Sequence, residues 1–210
     1  VLGPSVGGVV TEDKKREVPF FNEYESSKAE AEELVRKYVA EKGIEVMIVS
    51  PTRVYGYYLF GEPASVSLLI SKYIKGNWKI IPGDGTKVGN YVYVDDVVSG
   101  HMLAMKNGMK GETYILGGEN YSYNEFFKVL KEVSGHDYGL IKTPIWAQMI
   151  FARLNKFFSL LCGKRPALTT KWIRRGNFHW KVDPSKSVID LGVKITSLRE
   201  GIRKTIEGIS

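Results

Sequence analysis

The sequence predicts an α/β protein in which helices cover both faces of a largely parallel sheet. Apolar residues recur at helical spacing over residues 24–42, charged residues fill the other positions, and Gly43 ends the pattern. An almost wholly apolar, β-branched run follows at 44–50, which suits a strand buried on both faces. A second run of this kind lies at 112–118. A helix, a glycine and a buried strand make half of a βαβ repeat, which indicates a parallel sheet.

The remaining elements are predicted in chain order from the same patterns. Residues 1–23 carry several glycines and prolines and then charged residues, and they are predicted to be a loop. Residues 51–63 are predicted to be a second long loop. Between the two buried strands we expect a helix, a short strand with its turn, and an extended segment that becomes helical: 64–76, 79–85 and 91–108. After them we expect three helices, at 121–135, 143–163 and 167–177. An extended piece at 180–183, a turn at 183–192 and a terminal helix at 197–209 are predicted to complete the chain.

Two helix starts carry capping signals. Ser122 is followed three residues later by Glu125, which is the signature of a capping box. Asp95 or Asp96 is predicted to be the N-cap of the helix within 91–108. A paired-carboxylate acid/base or metal site is the alternative for these two aspartates, and we prefer capping because they open a helix.

Composition bounds the function classes. The chain has 210 residues, 43% of them apolar, and a formal charge of +7, which favours anionic partners in general. The basic residues are scattered, however, so we expect no nucleic-acid partner. Cys162 is the only cysteine, which excludes an internal disulfide and is typical of a cytoplasmic protein. The three histidines are far apart, so no metal is expected. No apolar run reaches the roughly 18 residues that span a bilayer, and we expect no membrane contact.

The central candidate site is the pair Tyr24 and Lys28 in the sequence YESSK. Residues four apart lie on one face of a helix, so the phenol and the ammonium group point the same way. A cation beside a tyrosine favours the phenolate, which lets the side chain exchange a proton with a substrate oxygen near neutral pH. The Y-x-x-x-K spacing alone is weak evidence, because it also places a surface tyrosine beside a solvated lysine in many helices.

The order of motifs around this pair makes it specific. YESSK, an amphipathic helix, a buried strand and SPTRVYG (50–56) resemble the extended short-chain dehydrogenase/reductase family, also called the NAD-dependent epimerase/dehydratase family. Segments 91–105, 111–127 and 183–207 resemble further motifs of that family in the same order, so the resemblance covers nearly the whole chain. The sequence looks most like the dihydroflavonol-reductase-like branch.

The resemblance implies a fold and a division of the chain. The fold would be the C-terminal part of a Rossmann-type doubly wound parallel sheet plus a small α+β substrate-binding domain. Residues 1–62 and 91–120 would belong to the NAD(P)-binding domain. Residues 63–90 and 121–210 would form the substrate-binding or lid region.

The resemblance also implies roles. Tyr24 would be the catalytic acid/base, and Lys28 would favour its phenolate and hydrogen-bond the nicotinamide ribose. The residues that would border the nicotinamide of NAD or NADP are Pro51, Thr52, Arg53 and Val54. Two further residues would lie toward the substrate, namely Tyr55 and Tyr57. A surface loop arginine is the alternative for Arg53.

Two parts of the family pattern do not occur in this sequence. The glycine-rich dinucleotide fingerprint is missing, and GPSVGG (3–8) is predicted to be a loop. The family's catalytic serine would fall before Val1, and Ser5 is a poor substitute for it. We therefore expect a chain that has lost the front of a longer protein and is inactive alone. The choice between NAD and NADP stays open.

Three function hypotheses remain. The first is an NAD(P)-dependent reductase or dehydrogenase acting on a small hydrophobic or aromatic carbonyl or alcohol, because the apolar segment 145–162 lies where the family covers its substrate. Core packing, a homodimer face and a membrane-surface helix are alternatives for that segment. The second hypothesis is a nucleotide-sugar epimerase or dehydratase, and the third is a non-catalytic scaffold. Because Tyr24 and Lys28 are both present, an enzyme is favoured over a scaffold.

Overall fold

The structure, a computed structural model, describes residues 1–57, 65–161 and 170–209, without the side chains of 156–161. The end of the loop predicted at 51–63 therefore lies outside the described residues. The helices within these ranges are α1 (Glu23–Lys42), α2 (Ser65–Ile74), α3 (Val94–Asn107), α4 (Tyr123–Ser134), α5 (Ile145–Leu161), α6 (Thr170–Gly176) and α7 (Leu198–Ile209). The strands are β1 (Ile48–Pro51), β2 (Arg53–Tyr55), β3 (Ile80–Pro82), β4 (Val88–Tyr93), β5 (Thr113–Leu116), β6 (Glu119–Ser122) and β7 (Ile141–Thr143).

The predicted α/β class with parallel strands is confirmed. Strand β1 pairs in parallel with β5, and β3 pairs in parallel with β7. Strand β2 pairs in parallel with β4, which also pairs antiparallel with β6. The short strands β2, β6 and β7 were not predicted. The turn predicted at 183–192 contains a π-helical segment, Ser187–Leu191, and the extended piece at 180–183 forms one bridge, between Val182 and Val10.

The chain changes strand partner at Thr52. Pro51 is in register with Leu116 on β5, whereas Arg53 is in register with Tyr91 on β4. The Thr52 amide still donates to the Leu116 carbonyl at 3.2 Å. The segment 51–53 therefore lies where two sheets separate, and its side chains are free to line the space between them.

Helix α1 begins and ends with good caps. The Asn22 side chain accepts from the Glu25 amide at 2.9 Å, and Gly43, at φ 66°, donates its amide to the Val39 carbonyl. Only Glu25 is buried along the helix, and Leu34 is 54% exposed. The helix is thus fixed in position mainly at its N-terminal end, where Tyr24 and Lys28 lie.

The two capping predictions have opposite outcomes. The capping box is confirmed, because the Ser122 hydroxyl accepts from the Glu125 amide and the Ser122 amide donates to the Glu125 carboxylate. The N-cap prediction for Asp95 or Asp96 is wrong. Strand β4 runs directly into α3, so Tyr93 occupies the N-cap position without a side-chain hydrogen bond. Asp96 lies in the first turn and accepts from the amide and hydroxyl of Thr196, both at 2.7 Å.

Strand β4 separates two apolar clusters. Tyr91 and Tyr93 pack into a cluster with α2, α4 and α7, while Val92 on the opposite face packs into a cluster with α3 and β5. Successive strand residues point to opposite faces, so one strand serves both clusters. The predicted division into two domains would need such a pair of clusters, and the division itself stays a prediction.

Candidate active site

A cleft with a volume of about 510 Å³ lies beside the N-terminal half of α1 and along β1. Its walls come from α1, segment 46–53, the start of the chain, Asn90 and segment 175–182. Of the residues predicted to form the site, five line this cleft: Tyr24, Lys28, Pro51, Thr52 and Arg53. The structure therefore brings the predicted acid/base pair and most of the predicted cofactor segment to one place.

Tyr24 and Lys28 lie side by side in this cleft. The Lys28 Nζ atom is 5.7 Å from the centre of the Tyr24 ring, and Tyr24 is 69% exposed, so its hydroxyl is open to a ligand. A second pair on the same helix has the same spacing, because Lys42 Nζ is 4.8 Å from the Tyr38 ring. The second pair does not line the cleft. Location, and not spacing, distinguishes the two pairs.

A buried carboxylate fixes the helix end that carries the pair. Glu25 is 5% exposed, and it accepts from Arg16 Nη2 at 2.7 Å, from Arg175 Nε at 2.9 Å and from the Phe21 amide at 3.1 Å. Burial would raise the pKa of Glu25, but the Phe21 amide and the guanidinium groups of Arg175 and Arg16 outweigh it and lower the pKa. The carboxylate therefore stays charged and ties α1 to α6.

The segment 51–53 is held by a buried amide that sequence reasoning missed. Asn90 is 1% exposed. Its Oδ1 accepts from the Thr52 hydroxyl and from the Gly118 amide, both at 2.8 Å, and its Nδ2 donates to the Gly118 carbonyl at 2.8 Å. Because every donor and acceptor is used close to the strand crossing, Asn90 gives Thr52 a defined position in the cleft wall.

Arg53 is not the surface loop arginine considered as the alternative. Its guanidinium lies between two tyrosines, with Nη1 at 3.4 Å from the hydroxyl oxygens of Tyr91 and Tyr123. A Cβ atom at Gly89 would lie 2.6 Å from the same Nη1. The absent side chain at Gly89 therefore makes room for the guanidinium.

Three predicted site residues do not line the cleft. Val54 packs against the apolar cluster around α3. Tyr55 is 1% exposed in the other cluster, and its hydroxyl has no hydrogen-bond partner among the described residues. Burial raises the pKa of Tyr55, and the charges of Asp96 and Glu119 raise it further. Tyr57 is 41% exposed and lies against Gly208. The substrate role of Tyr55 and Tyr57 stays a prediction that this arrangement does not favour.

The predicted apolar helix also lies away from the cleft. None of its described side chains lines the cleft, and Trp146, Ile150 and Leu154 are 68%, 51% and 52% exposed. Core packing is therefore wrong for this face of α5. The lid and dimer-face interpretations stay predictions.

The sequence profile of the NAD dependent epimerase/dehydratase family matches residues 4–117, which is more than half of the chain. The chain belongs to this family. Among its epimerase/dehydratase relatives, a 3beta-hydroxysteroid-dehydrogenase/decarboxylase isoform 1 of Arabidopsis thaliana is 28% identical over 227 residues, covering 100% of this chain and 51% of the relative. A putative dihydroflavonol 4-reductase of Synechocystis is 25% identical over 189 residues, covering 87% of this chain and 53% of the relative. The chain thus spans about half the length of these curated relatives.

Solved structures of epimerase/dehydratase proteins share the fold. The UDP-glucuronic acid 4-epimerase of Bacillus cereus, in complex with UDP-glucuronic acid and NAD, aligns with a TM-score of 0.70 at 22% identity, over 98% of this chain and 57% of that one. A dTDP-glucose 4,6-dehydratase of Streptomyces venezuelae with NAD bound gives a TM-score of 0.70 at 23% identity, over 98% and 56% of the two chains. At this identity the likeness establishes the Rossmann-type fold alone.

Two features of the described residues bear on other functions. Within residues 1–57, 65–161 and 170–209, no three side chains of His, Cys, Asp or Glu lie close enough together to hold a metal ion. In the same ranges, no helix has the length and apolar character needed to cross a bilayer.

Proposed function

We propose that the protein to which this chain belongs is an NAD(P)-dependent oxidoreductase that interconverts an alcohol and a carbonyl compound, with Tyr24 as acid/base. The observation that carries the proposal is the position of Tyr24 and Lys28, side by side on the cleft that segment 51–53 also lines. The names of two relatives, a hydroxysteroid dehydrogenase/decarboxylase and a putative dihydroflavonol reductase, favour a hydroxyl or carbonyl group on a ring system as the reacting centre.

The proton chemistry follows from the pair. During reduction, the Tyr24 hydroxyl gives its proton to the substrate oxygen as the carbonyl carbon takes a hydride, and the phenolate that remains is stabilised by the Lys28 ammonium group. During oxidation, the Tyr24 phenolate takes the proton of the substrate hydroxyl. Tyr24 lines the cleft and is 69% exposed, which leaves it accessible to a substrate oxygen.

The residues present fit the nicotinamide end of NAD(P). Ile48, Val49 and Pro51 offer apolar contacts, and Lys28 offers a charged donor in the same cleft. When bound, the nicotinamide supplies or accepts the hydride. The fold does not distinguish NAD from NADP, and no glycine-rich phosphate-binding motif occurs in this sequence.

The test is a comparison of two Tyr–Lys pairs on one helix. In the complete enzyme, Tyr24→Phe should lower kcat by about 100- to 10,000-fold, the usual contribution of a positioned acid/base. Tyr38→Phe should leave kcat unchanged, because Tyr38 has the same lysine spacing but does not line the cleft. Steady-state kinetics and thermal melting of both variants separate lost chemistry from lost folding. Unchanged turnover of a folded Tyr24→Phe variant would falsify the proposal.

A nucleotide-sugar epimerase or dehydratase is the second candidate, because the matched family includes such enzymes and they share this fold. The discriminating measurement is the fate of the cofactor. A reductase consumes one reduced cofactor for each product molecule, whereas an epimerase or dehydratase recycles its cofactor within one turnover. Product formation without net change in the absorbance of the reduced nicotinamide would favour the second candidate.

A further inference from the structure

Arg53 is a cation of the candidate cleft whose neighbours leave most of its donors unused. Its Nη1 lies 3.4 Å from Tyr91 Oη and from Tyr123 Oη, longer than the usual limit of about 3.2 Å for such bonds. Its Cζ lies 5.6 and 5.7 Å from the centres of the same two rings. The rings hold the guanidinium in place by cation–π attraction, but two distant hydroxyls do not satisfy five N–H donors.

The charge of Arg53 is also not balanced by a carboxylate within the part of the chain that the structure describes. No described residue forms an ion pair with it, whereas other arginines such as Arg16 and Arg175 have carboxylate partners. Burial acts against the charge, but Tyr123 and Tyr91 outweigh it and raise the pKa of Arg53, so the guanidinium stays protonated. A charge largely removed from water is costly unless an ion of opposite sign is near it.

Arg175 adds positive charge to the same wall of the cleft. Its Cζ lies 4.1 Å from the centre of the Trp180 ring, and its only described carboxylate partner is Glu25. Glu25 is shared with Arg16. Burial lowers the pKa of Arg175, and the nearby charge of Arg53 lowers it further, against the ion pair with Glu25. Arg16 and Arg175 therefore share one carboxylate, and Arg53 has none among the described residues, which leaves an excess of positive charge.

We propose that Arg53, with Arg175 beside it, binds an anionic group of the substrate, a carboxylate or a phosphate. The planar guanidinium suits both, since each offers two oxygens to its paired donors. This inference rests on the proposed function for its orientation, because Tyr24 marks the reacting oxygen in the same cleft. The substrate is accordingly a hydroxy or keto compound that carries an acid group at the end of the cleft facing Arg53.

The nicotinamide is a poor partner for this guanidinium. The oxidised ring carries a positive charge, which repels a neighbouring cation and would disfavour the oxidised cofactor. Backbone atoms of segment 51–53 can border the ring, as the family resemblance implies. The Arg53 side chain points instead to Tyr91 and Tyr123, which belong to β4 and α4.

The test is direct binding of simple anions. The complete protein is titrated calorimetrically with benzoate and, separately, with inorganic phosphate at low ionic strength. We expect at least one of them to bind, and Arg53→Gln to weaken that binding by about 10- to 100-fold, the value of one charge-assisted hydrogen bond. Preference for benzoate identifies a carboxylate, and preference for phosphate identifies a phosphate. Arg199→Gln is the control, because Arg199 is exposed and pairs with Glu132.

The outcomes separate this inference from the proposed function. Tyr24→Phe should bind the anion as the wild type does, so loss of the acid/base role leaves the anion site measurable. If Arg53→Gln does not fold, Arg53→Lys keeps the charge but not the paired donors and should weaken binding several-fold. The inference is overturned if neither anion binds, if a folded Arg53 variant binds as the wild type does, or if saturating NADH displaces the anion.

Discussion

The buried carboxylate of Glu25 provides the sharpest test of how the site is held together. The change is Glu25→Gln, which keeps the side-chain shape and one acceptor oxygen but removes the charge. Side-chain exposure is 6% for Glu25, 9% for Arg16 and 26% for Arg175. Arg16 would be left buried without a counter-ion, whereas Arg175 keeps contact with solvent and with the Trp180 ring.

The magnitude follows from this unequal exposure. Removing one partner of a buried ion pair costs about 3–5 kcal/mol, and the partly solvated Arg175 places the expected loss at the lower end, about 3 kcal/mol. With a urea m-value of about 2–3 kcal/mol per molar, the unfolding midpoint should fall by about 1 M. The assay is equilibrium urea unfolding followed by tryptophan fluorescence. Glu23→Gln is the control, since Glu23 is 85% exposed and pairs with the solvated Lys171, so no measurable change is expected.

The pH dependence of the urea midpoint is a second test of the role of the Glu25 charge. The pKa of Glu25 is lowered from 4.5 in the folded protein. The contribution of Glu25 to the free energy of unfolding is therefore complete above pH 4.5 and is lost as the pH falls through the folded-state pKa. The difference in urea midpoint between wild type and Glu25→Gln should therefore become smaller in acid, because a protonated Glu25 is uncharged like glutamine. A urea midpoint unchanged at neutral pH, or a difference in midpoint that stays constant into acid, would show that the charge of Glu25 does not hold Arg16 and Arg175 in place.

Two further predictions concern the core beside the cleft. Tyr55→Phe removes a buried hydroxyl that has no hydrogen-bond partner among the described residues, so the free energy of unfolding should stay equal or rise by up to about 1 kcal/mol. The value of kcat/KM should not change; a clear loss of kcat/KM in a folded variant would restore the predicted substrate role of Tyr55, and a clear loss of unfolding free energy would show that the hydroxyl has a partner. Gly201→Ala should cost about 1–3 kcal/mol in urea unfolding, because the new Cβ would overlap the Tyr55 hydroxyl; a stabilised variant would mean that α7 packs less closely on Tyr55.

Elements with strong local signals could be predicted from the sequence. The caps of α1 and α4 depend on residues within four positions of the helix ends, and the period of apolar residues marks each long helix. The three-residue strands β2 and β7 give no such signal, because each includes a charged residue and lacks the apolar run that marks the equally short β3. The N-cap error at Asp95 and Asp96 has the same origin, since only the pairing of β4 decides where α3 begins.

The residues of the candidate site also fall into those that have a local signal in the sequence and those that do not. Tyr24 and Lys28 could be found because their chemistry depends on a spacing of four residues within one helix and on motifs that follow in order. Glu25 lies between them in the sequence, yet its partner Arg175 is 150 residues away. The signal available for Arg175 was the run KWIRR at 171–175, which is a dense local cluster of basic residues in the sequence.

The α/β class, the family and the candidate acid/base pair could be recognised in the sequence, because their signals lie in residues near one another along the chain. The neighbours of that pair came from the tertiary structure. It placed Arg53 between Tyr91 and Tyr123 and moved Tyr55 into the core. The physical reason is that burial and charge balance depend on strand pairing and on contacts between distant segments, which local spacing does not specify.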